Sequence, residues 1–278
     1  MPDVIDLHLH TTASDGVLTP AELIDRVRAA ELVAFSITDH DTIDGYLEAV
    51  NLVTVSDPEL VAGVELSVAT DNGDMHMLGY LFDPDGEELI EALDTFRIER
   101  EQRGQRIVEK LNKLGLNLSF NAVVQIAGGA TIGRPHIADA MLAEGLIGSF
   151  NEAFRKYIGN NGPAYVSKSK LEPKEAIDIV HRAGGVAVLA HPYINEMYKH
   201  IETLADLGLD GLEVYHYSHS RQKVKELENT ARRFNLLLTG GSDFHGRQEH
   251  EGEIGSDPVP SRYLDSLKER ALKIRGTH

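Results

Sequence analysis

Short apolar runs that end in histidine, aspartate or glutamate recur along this chain, and they restrict its possible folds more than any other feature. The run 4–9 carries His8 and leads into His10. The run 33–37 leads into Thr38-Asp39-His40, and the run 60–64 into Glu65. His76 lies inside a fourth run, Asp74-Met75-His76-Met77-Leu78. The run 186–189 ends in Ala190-His191-Pro192, and 236–238 in Thr239-Gly240-Gly241-Ser242-Asp243-Phe244-His245. Side chains two apart on a strand point the same way, so His8 and His10 emerge together, with Asp15 following in a polar turn. A lone histidine beside an apolar run reads as a packed core residue. Repetition at successive strand ends, where β/α barrels collect their functional groups, reads as a metal site instead.

The runs alternate with amphipathic helical segments, which predicts βα units and a largely parallel sheet. Seven strands are expected, at 4–9, 33–38, 60–68, 75–82, 186–190, 211–216 and 236–240. Thr19-Pro20-Ala21-Glu22 opens the first helix with a capping box and a proline at its first turn. Its apolar stripe is Leu23, Ile24, Val27 and Ala30. Later helices are expected near 43–53, 173–183, 196–207, 220–234 and 260–274. The alternation breaks from about 86 to 165, where 87–114 reads as one helix followed by shorter ones near 120–127, 135–144 and 150–157. The expected organisation is therefore an α/β barrel of residues 1–86 and 165–278 with an α-helical insertion, 87–164, as a cap over the site.

The absence of cysteine leaves His, Asp and Glu as the metal ligands. With 27 basic and 44 acidic residues the formal charge is −17, which argues against a broad groove for long nucleic acid but not against a small phosphorylated substrate. No apolar run approaches membrane-spanning length, and no basic segment followed by an apolar stretch opens the chain. A cytoplasmic location with no membrane association and no stable protein partner is the expectation.

Asp6-Leu7-His8-Leu9-His10 with Ser14-Asp15-Gly16, Ile37-Thr38-Asp39-His40-Asp41, Gly63-Val64-Glu65, His76, Ala190-His191-Pro192 and Gly241-Ser242-Asp243-Phe244-His245 resemble the polymerase-and-histidinol-phosphatase (PHP) family. The resemblance implies a distorted seven-stranded β/α barrel. The insertion and Gly133-Arg134-Pro135-His136 are similar to the branch of 3′,5′-nucleoside bisphosphate phosphatases, some of which trim short RNA from the 5′ end. It further implies three metal positions: His8, His10, Glu65 and Asp243; Glu65, His76 and His191; Asp15, His40 and His245. Two or three divalent ions are implied, with Mn²⁺ first and Fe²⁺ or Zn²⁺ also suited to such ligands.

The expected chemistry is metal-dependent phosphoester hydrolysis by a metal-bound hydroxide, with the general acid unassigned. Arg134, at a predicted helix start, and His136 are expected to hold substrate phosphate, with His219 lining the pocket. Lys168, Lys170 and Arg247 read as surface charges near strand ends, and His216 reads either as a buried residue or as part of the pocket. His181, His200, His250 and His278 lack metal spacing. Asp39 or Asp41 is expected to orient His40 or to cap a helix near Thr42, with Asp6 in a supporting role. The product would be a nucleoside 5′-monophosphate. The competing readings are a histidinol phosphate phosphatase, a non-catalytic PHP binding module and a metal-dependent amidohydrolase. For the last, no lysine stands where a bridging carbamate is needed.

Overall fold

The computed structural model describes residues 3–70, 73–167, 171–247 and 252–276. Strand β1 (Val4–Leu9) is followed by α1 (Pro20–Ala29), β2 (Ala34–Ile37), α2 (Asp44–Val50), β3 (Glu59–Thr70) and β4 (Gly73–Tyr80). The helical segment comprises α3 (Glu87–Lys113), α4 (Phe120–Ala127), α5 (Arg134–Ala143) and α6 (Phe150–Ala153). Then come α7 (Pro173–Arg182), β5 (Val186–Leu189), α8 (Ile201–Asp206), β6 (Gly211–Tyr215), α9 (Arg221–Phe234), β7 (Leu237–Gly240), β8 (Val259–Pro260) and α10 (Arg262–Arg275).

One sheet runs in the order β7-β6-β5-β4-β3-β2-β1-β8. The end of β1 and the segment after β7 approach each other. Leu9 at the end of β1 bridges to Phe244 beyond β7, and the His10 amide donates to the Phe244 carbonyl at 3.0 Å. The sheet therefore nearly closes into a barrel. Gly241 permits that closure, because a β-carbon there would lie 2.4 Å from the His8 nitrogen.

Three features differ from the sequence expectation. The sheet has eight strands rather than seven, because the two-residue β8 pairs antiparallel with β1. A two-residue strand ending in proline is too short to show periodicity. Strand β4 also runs antiparallel to both β3 and β5, so β3 and β4 form a long hairpin, while the remaining pairs among β1 to β7 are parallel. The reversal decides where His76 lies. It sits near the start of β4, opposite Ser67, and so reaches the same end of the barrel as the C-terminal ends of the parallel strands.

The Thr19 cap forms as the sequence predicts. The Thr19 hydroxyl accepts from the Glu22 amide, and the Glu22 carboxylate accepts from the Thr19 amide. The segment expected as a helix from 196 is instead a 3₁₀ stretch, Ile194–His200, before α8. Asn195 and Glu196 there adopt left-handed backbone angles, and the Asn195 amide side chain donates to the Asp74 carbonyl at 2.9 Å.

Three apolar clusters support the barrel. Leu23, Ile24 and Val27 of α1 pack on Leu9, Phe35 and Ile37. Leu264, Leu267 and Ala271 of α10 pack with Ile5, Leu7, Leu78, Tyr80, Val186 and Val188. Val64, Leu66 and Val68 of β3 pack with α7, α9 and the first half of α3, through Leu89, Leu93 and Phe96. The second half of α3 belongs to a separate cluster. Ile107, Val108 and Leu111 pack there with Val123, Ile137, Met141 and Ile158. A single helix of 27 residues thus joins both cores. No described helix is long and apolar enough to cross a membrane.

Candidate metal centre

Nine side chains from seven separate stretches converge at one mouth of the barrel. Most sit where a parallel strand runs out; Asp15 lies in the turn after β1, Glu65 where β3 extends beyond β2, and His76 near the start of the reversed β4. Three groupings bring their ligand atoms within 4.8 Å of one another: His8, His10, Glu65 and Asp243; His10, Asp15, His40 and His245; and His40, Glu65 and His76. His191 joins the third grouping through its Nε2 atom, 3.1 Å from Glu65 Oε1 and 3.3 Å from His76 Nδ1.

Glu65 lies at the middle. Its Oε2 atom is 3.4 Å from His8 Nε2, 3.3 Å from His10 Nε2 and 3.0 Å from His40 Nδ1, while Oε1 is 2.7 Å from His76 Nδ1. Asp243 Oδ1 is 3.3 Å from His8 Nε2 and 3.2 Å from His10 Nε2. Asp15 faces His245 Nε2 at 3.3 Å and His40 Nε2 at 3.9 Å. Asp243 and His191 both have positive φ, 53° and 27°, so the site holds residues with β-carbons in sparsely populated backbone conformations.

Electrostatics follow from this crowding. Burial works to raise the carboxyls of Glu65, Asp243 and Asp15, but the surrounding imidazoles hold all three well below their ordinary values. Burial works to depress His8, yet Glu213, Asp243 and Glu65 raise it well above the usual imidazole range. The same contest pushes His245 up to about 10, with Asp15 the main charge acting on it.

The donor set fits divalent cations. Among the described residues, His8 Nε2, His10 Nε2, His10 Nδ1, His40 Nδ1, His191 Nδ1, Asp15 Oδ1 and Glu65 Oε2 are buried and make no hydrogen bond. Buried polar atoms are normally satisfied, so a convergent set of unsatisfied nitrogen and oxygen donors points to cations.

Supporting contacts differ from the expectation for Asp39 and Asp41. Asp39 accepts from the Thr11 amide, the Thr11 hydroxyl and the Ser14 hydroxyl, and so shapes the turn that delivers Asp15. Asp41 accepts from the Ser67 amide and from Arg100 Nε. The hydroxyl of Thr42 accepts from the Asp44 amide at the start of α2. Asp6 accepts from the amides of His8, Ser242 and Gly255, tying β1 to the loop that carries Asp243.

The candidate substrate residues lie on two walls. Arg134 is the first residue of α5, and its guanidinium reaches Asp74 Oδ2 at 3.2 Å and Asn160 Oδ1 at 2.8 Å. His136 is buried with its Nδ1 accepting from the Gly133 amide, and burial lowers its pKa. His219 stands beyond β6. Its Nδ1 donates to the Val214 carbonyl, its Nε2 is buried without a hydrogen bond, and burial depresses it to about 4. Arg247 grips Asp139 of α5 with both terminal nitrogens and covers the Phe150 ring at 4.6 Å, so it ties the loop after β7 to α5 and α6. His181 pairs with Asp210. Lys168, Lys170, His250 and His278 lie outside the described residues.

Four residues at or near the centre have no assigned role in the sequence reading. Glu213 is fully buried in β6 and bonds His8 Nδ1 at 2.8 Å. His216 is buried, and its Nε2 lies 3.4 Å from Asp243 Oδ2, so it is both a buried residue and a neighbour of the candidate centre. Arg100 and Arg103 project from α3, the former onto Asp41, Ser67 and the Ile132 carbonyl, the latter onto the Val166 carbonyl. A signal for Glu213 is present in the sequence, since a lone carboxylate interrupts an apolar strand.

A barrel whose mouth gathers imidazoles and carboxylates defines a metal-dependent enzyme class. Residues 6–183 match the PHP domain family, and the chain belongs to that family. It is 33% identical over 245 residues to a 5′-3′ exoribonuclease of Haemophilus influenzae, covering 86% of this chain and 89% of that one. It is 32% identical over 257 residues to a 3′,5′-nucleoside bisphosphate phosphatase of Chromobacterium violaceum, covering 90% of each. A solved structure from Bifidobacterium adolescentis, described as a metal-dependent phosphoesterase, superposes with a TM-score of 0.88 at 31% identity, covering 97% of this chain and 98% of that one.

Proposed function

We propose that this PHP phosphoesterase removes the 3′-phosphate of nucleoside 3′,5′-bisphosphates to give nucleoside 5′-monophosphates, with short single-stranded RNA cut from its 5′ end as a second substrate. The observation that carries the reading is the shared use of Glu65, His10 and His40 among donor groups packed within 4.8 Å. His8, His10, Glu65 and Asp243 would hold one divalent ion, Glu65, His76 and His191 a second, and Asp15, His40 and His245 a third. Mn²⁺ is the first candidate. When bound, such ions polarise phosphoryl oxygens and lower the pKa of water.

The chain's own groups divide the remaining work. The carboxylates of Glu65, Asp243 and Asp15 set the local charge that two or three dications overcompensate, leaving a field that attracts phosphate. Arg134 at the α5 start, with His136 behind it, is the proposed holder of a second phosphate, and Arg100 and Arg103 add positive charge on the same side. His219 at neutral pH offers a lone pair on Nε2, which suits a substrate hydroxyl or amino group rather than a phosphate oxygen. Residues 87–164 act in this reading as a cap that limits the pocket to one terminal nucleotide. The strongly acidic chain is consistent with so small a footprint. A cytoplasmic location goes with a nucleotide substrate.

The test is a phosphate-release screen with Mn²⁺ across nucleoside bisphosphates, mononucleotides, sugar phosphates, histidinol phosphate and short RNA. Preferred turnover of adenosine 3′,5′-bisphosphate is expected. Preference for histidinol phosphate would end the nucleotide assignment, and release from none would end the phosphoesterase reading.

A further inference from the structure

Glu213 belongs to none of the three proposed ligand sets, yet it is fully buried beside two of them. Its neighbours in β6, Leu212 and Val214, pack into the outer core, so the strand turns Glu213 the other way. There its two oxygens have separate tasks. Oε1 accepts from His8 Nδ1 at 2.8 Å, and Oε2 accepts from the His191 backbone amide at 2.7 Å.

The geometry points to Glu213 as a positioning residue that couples two metal positions, one through the ring of His8 and the other through the main chain of His191. This rests on the metal reading proposed above. A metal-ligating imidazole is neutral and carries one proton. Holding it on Nδ1 leaves the lone pair on Nε2, and that nitrogen faces Glu65 and Asp243 at 3.4 and 3.3 Å. Without the acceptor, the proton is free to move to Nε2 and cancel the ligand. The His191 contact acts differently. A φ of 27° is sparsely populated for a residue with a β-carbon, so it persists only where neighbours over-determine it. The Glu213 bond is one such restraint, and the bond from the Ala190 amide to the His76 carbonyl at 3.1 Å is another. One carboxylate from β6 therefore sets a ligand on β1 and a ligand after β5. Glutamine has the same shape but a single acceptor oxygen, so it must release one of the two.

The experiment is calorimetric titration of Mn²⁺ into wild type, Glu213→Gln and Glu213→Asp, with metal content measured after dialysis and melting of the metal-free proteins as a control. We expect Glu213→Gln to melt near wild type but to bind Mn²⁺ about 10- to 100-fold more weakly at the positions served by His8 and His191. Uptake at the Asp15, His40 and His245 position should be unchanged. Turnover should recover as Mn²⁺ is raised, with KM for the phosphate ester held constant. Wild-type Mn²⁺ affinity in Glu213→Gln overturns the inference and leaves the metal reading standing. A wild-type chain that takes up no Mn²⁺ overturns both. If neither variant folds, ¹⁵N–¹H spectra of the Zn²⁺-loaded wild type decide: a proton on His8 Nδ1 is expected, and one on His8 Nε2 overturns the inference.

Discussion

The barrel mouth and the helical segment α3–α6 carry side chains of opposite charge. On the barrel side, Glu65, Asp15, Asp243 and Glu213 are packed among histidines, and their acidity makes chemical sense only beside cations. From the helical segment Arg100, Arg103 and Arg134 project towards the site, each leaning on a carboxylate or carbonyl. The frameworks differ too. The barrel groups ride on strands and on left-handed turns at His191 and Asp243. The insertion groups ride on helices with a small apolar core of their own. In the proposed function the contrast would separate two jobs: a wall that concentrates negative charge for metal, and a second wall that supplies positive charge for an anion.

Substitutions on the two walls should therefore fail in different ways. The largest effect is expected from Asp243→Ala, which removes a carboxylate shared by His8 and His10. Turnover should fall by at least about a thousandfold, several kcal/mol of lost transition-state stabilisation, with the circular dichroism spectrum retained. A loss confined to KM would break the division between the walls. Arg134→Ala should do the reverse. A hydrogen bond to a charged group is worth about 1.5–3 kcal/mol, so KM for a bisphosphate should rise about ten- to a hundredfold with kcat little changed. Steady-state kinetics showing neither constant altered would remove Arg134 from the substrate wall.

The smallest effect concerns stability and isolates the barrel wall. His219 falls to about 4 in the folded chain through burial, below its unfolded value of about 6.5. The unfolded state then binds more protons between those values, so His219 contributes stability above about pH 6.5 that is lost as pH falls towards 4. In metal-free protein, denaturant unfolding should show about 1 kcal/mol of this loss between pH 7 and 5.5, absent from His219→Phe. Equal slopes for the two proteins would show that His219 is not held neutral.

Much of the barrel wall could be read from sequence, because strand periodicity and metal chemistry point to the same residues. His8 and His10 are two apart on a strand, and Asp243 and His245 close an apolar run. The reversal of β4 was not legible, since a run around His76 has the same composition whichever way it is threaded. Glu213 went unassigned because a charge in a strand carries no motif, and its partners are 205 and 22 residues away. Arg134 stands out in the sequence because it precedes Pro135 at a helix start, whereas Arg100 and Arg103 are hidden in a strongly charged helical stretch. Yet Leu89, Leu93, Phe96, Arg100, Arg103, Ile107 and Leu111 follow one another at three- and four-residue steps, so both arginines stand in the buried stripe of α3.

That stripe has a mechanical consequence. The front of α3 is clamped to the barrel, the rear is clamped to the outer helices, and the two guanidinium groups sit at the fulcrum between them. If the outer lobe tilts, the rod transmits the tilt to those groups. Widening the doorway and shifting the charge that greets an arriving anion would then be one motion, and neither could be tuned without the other.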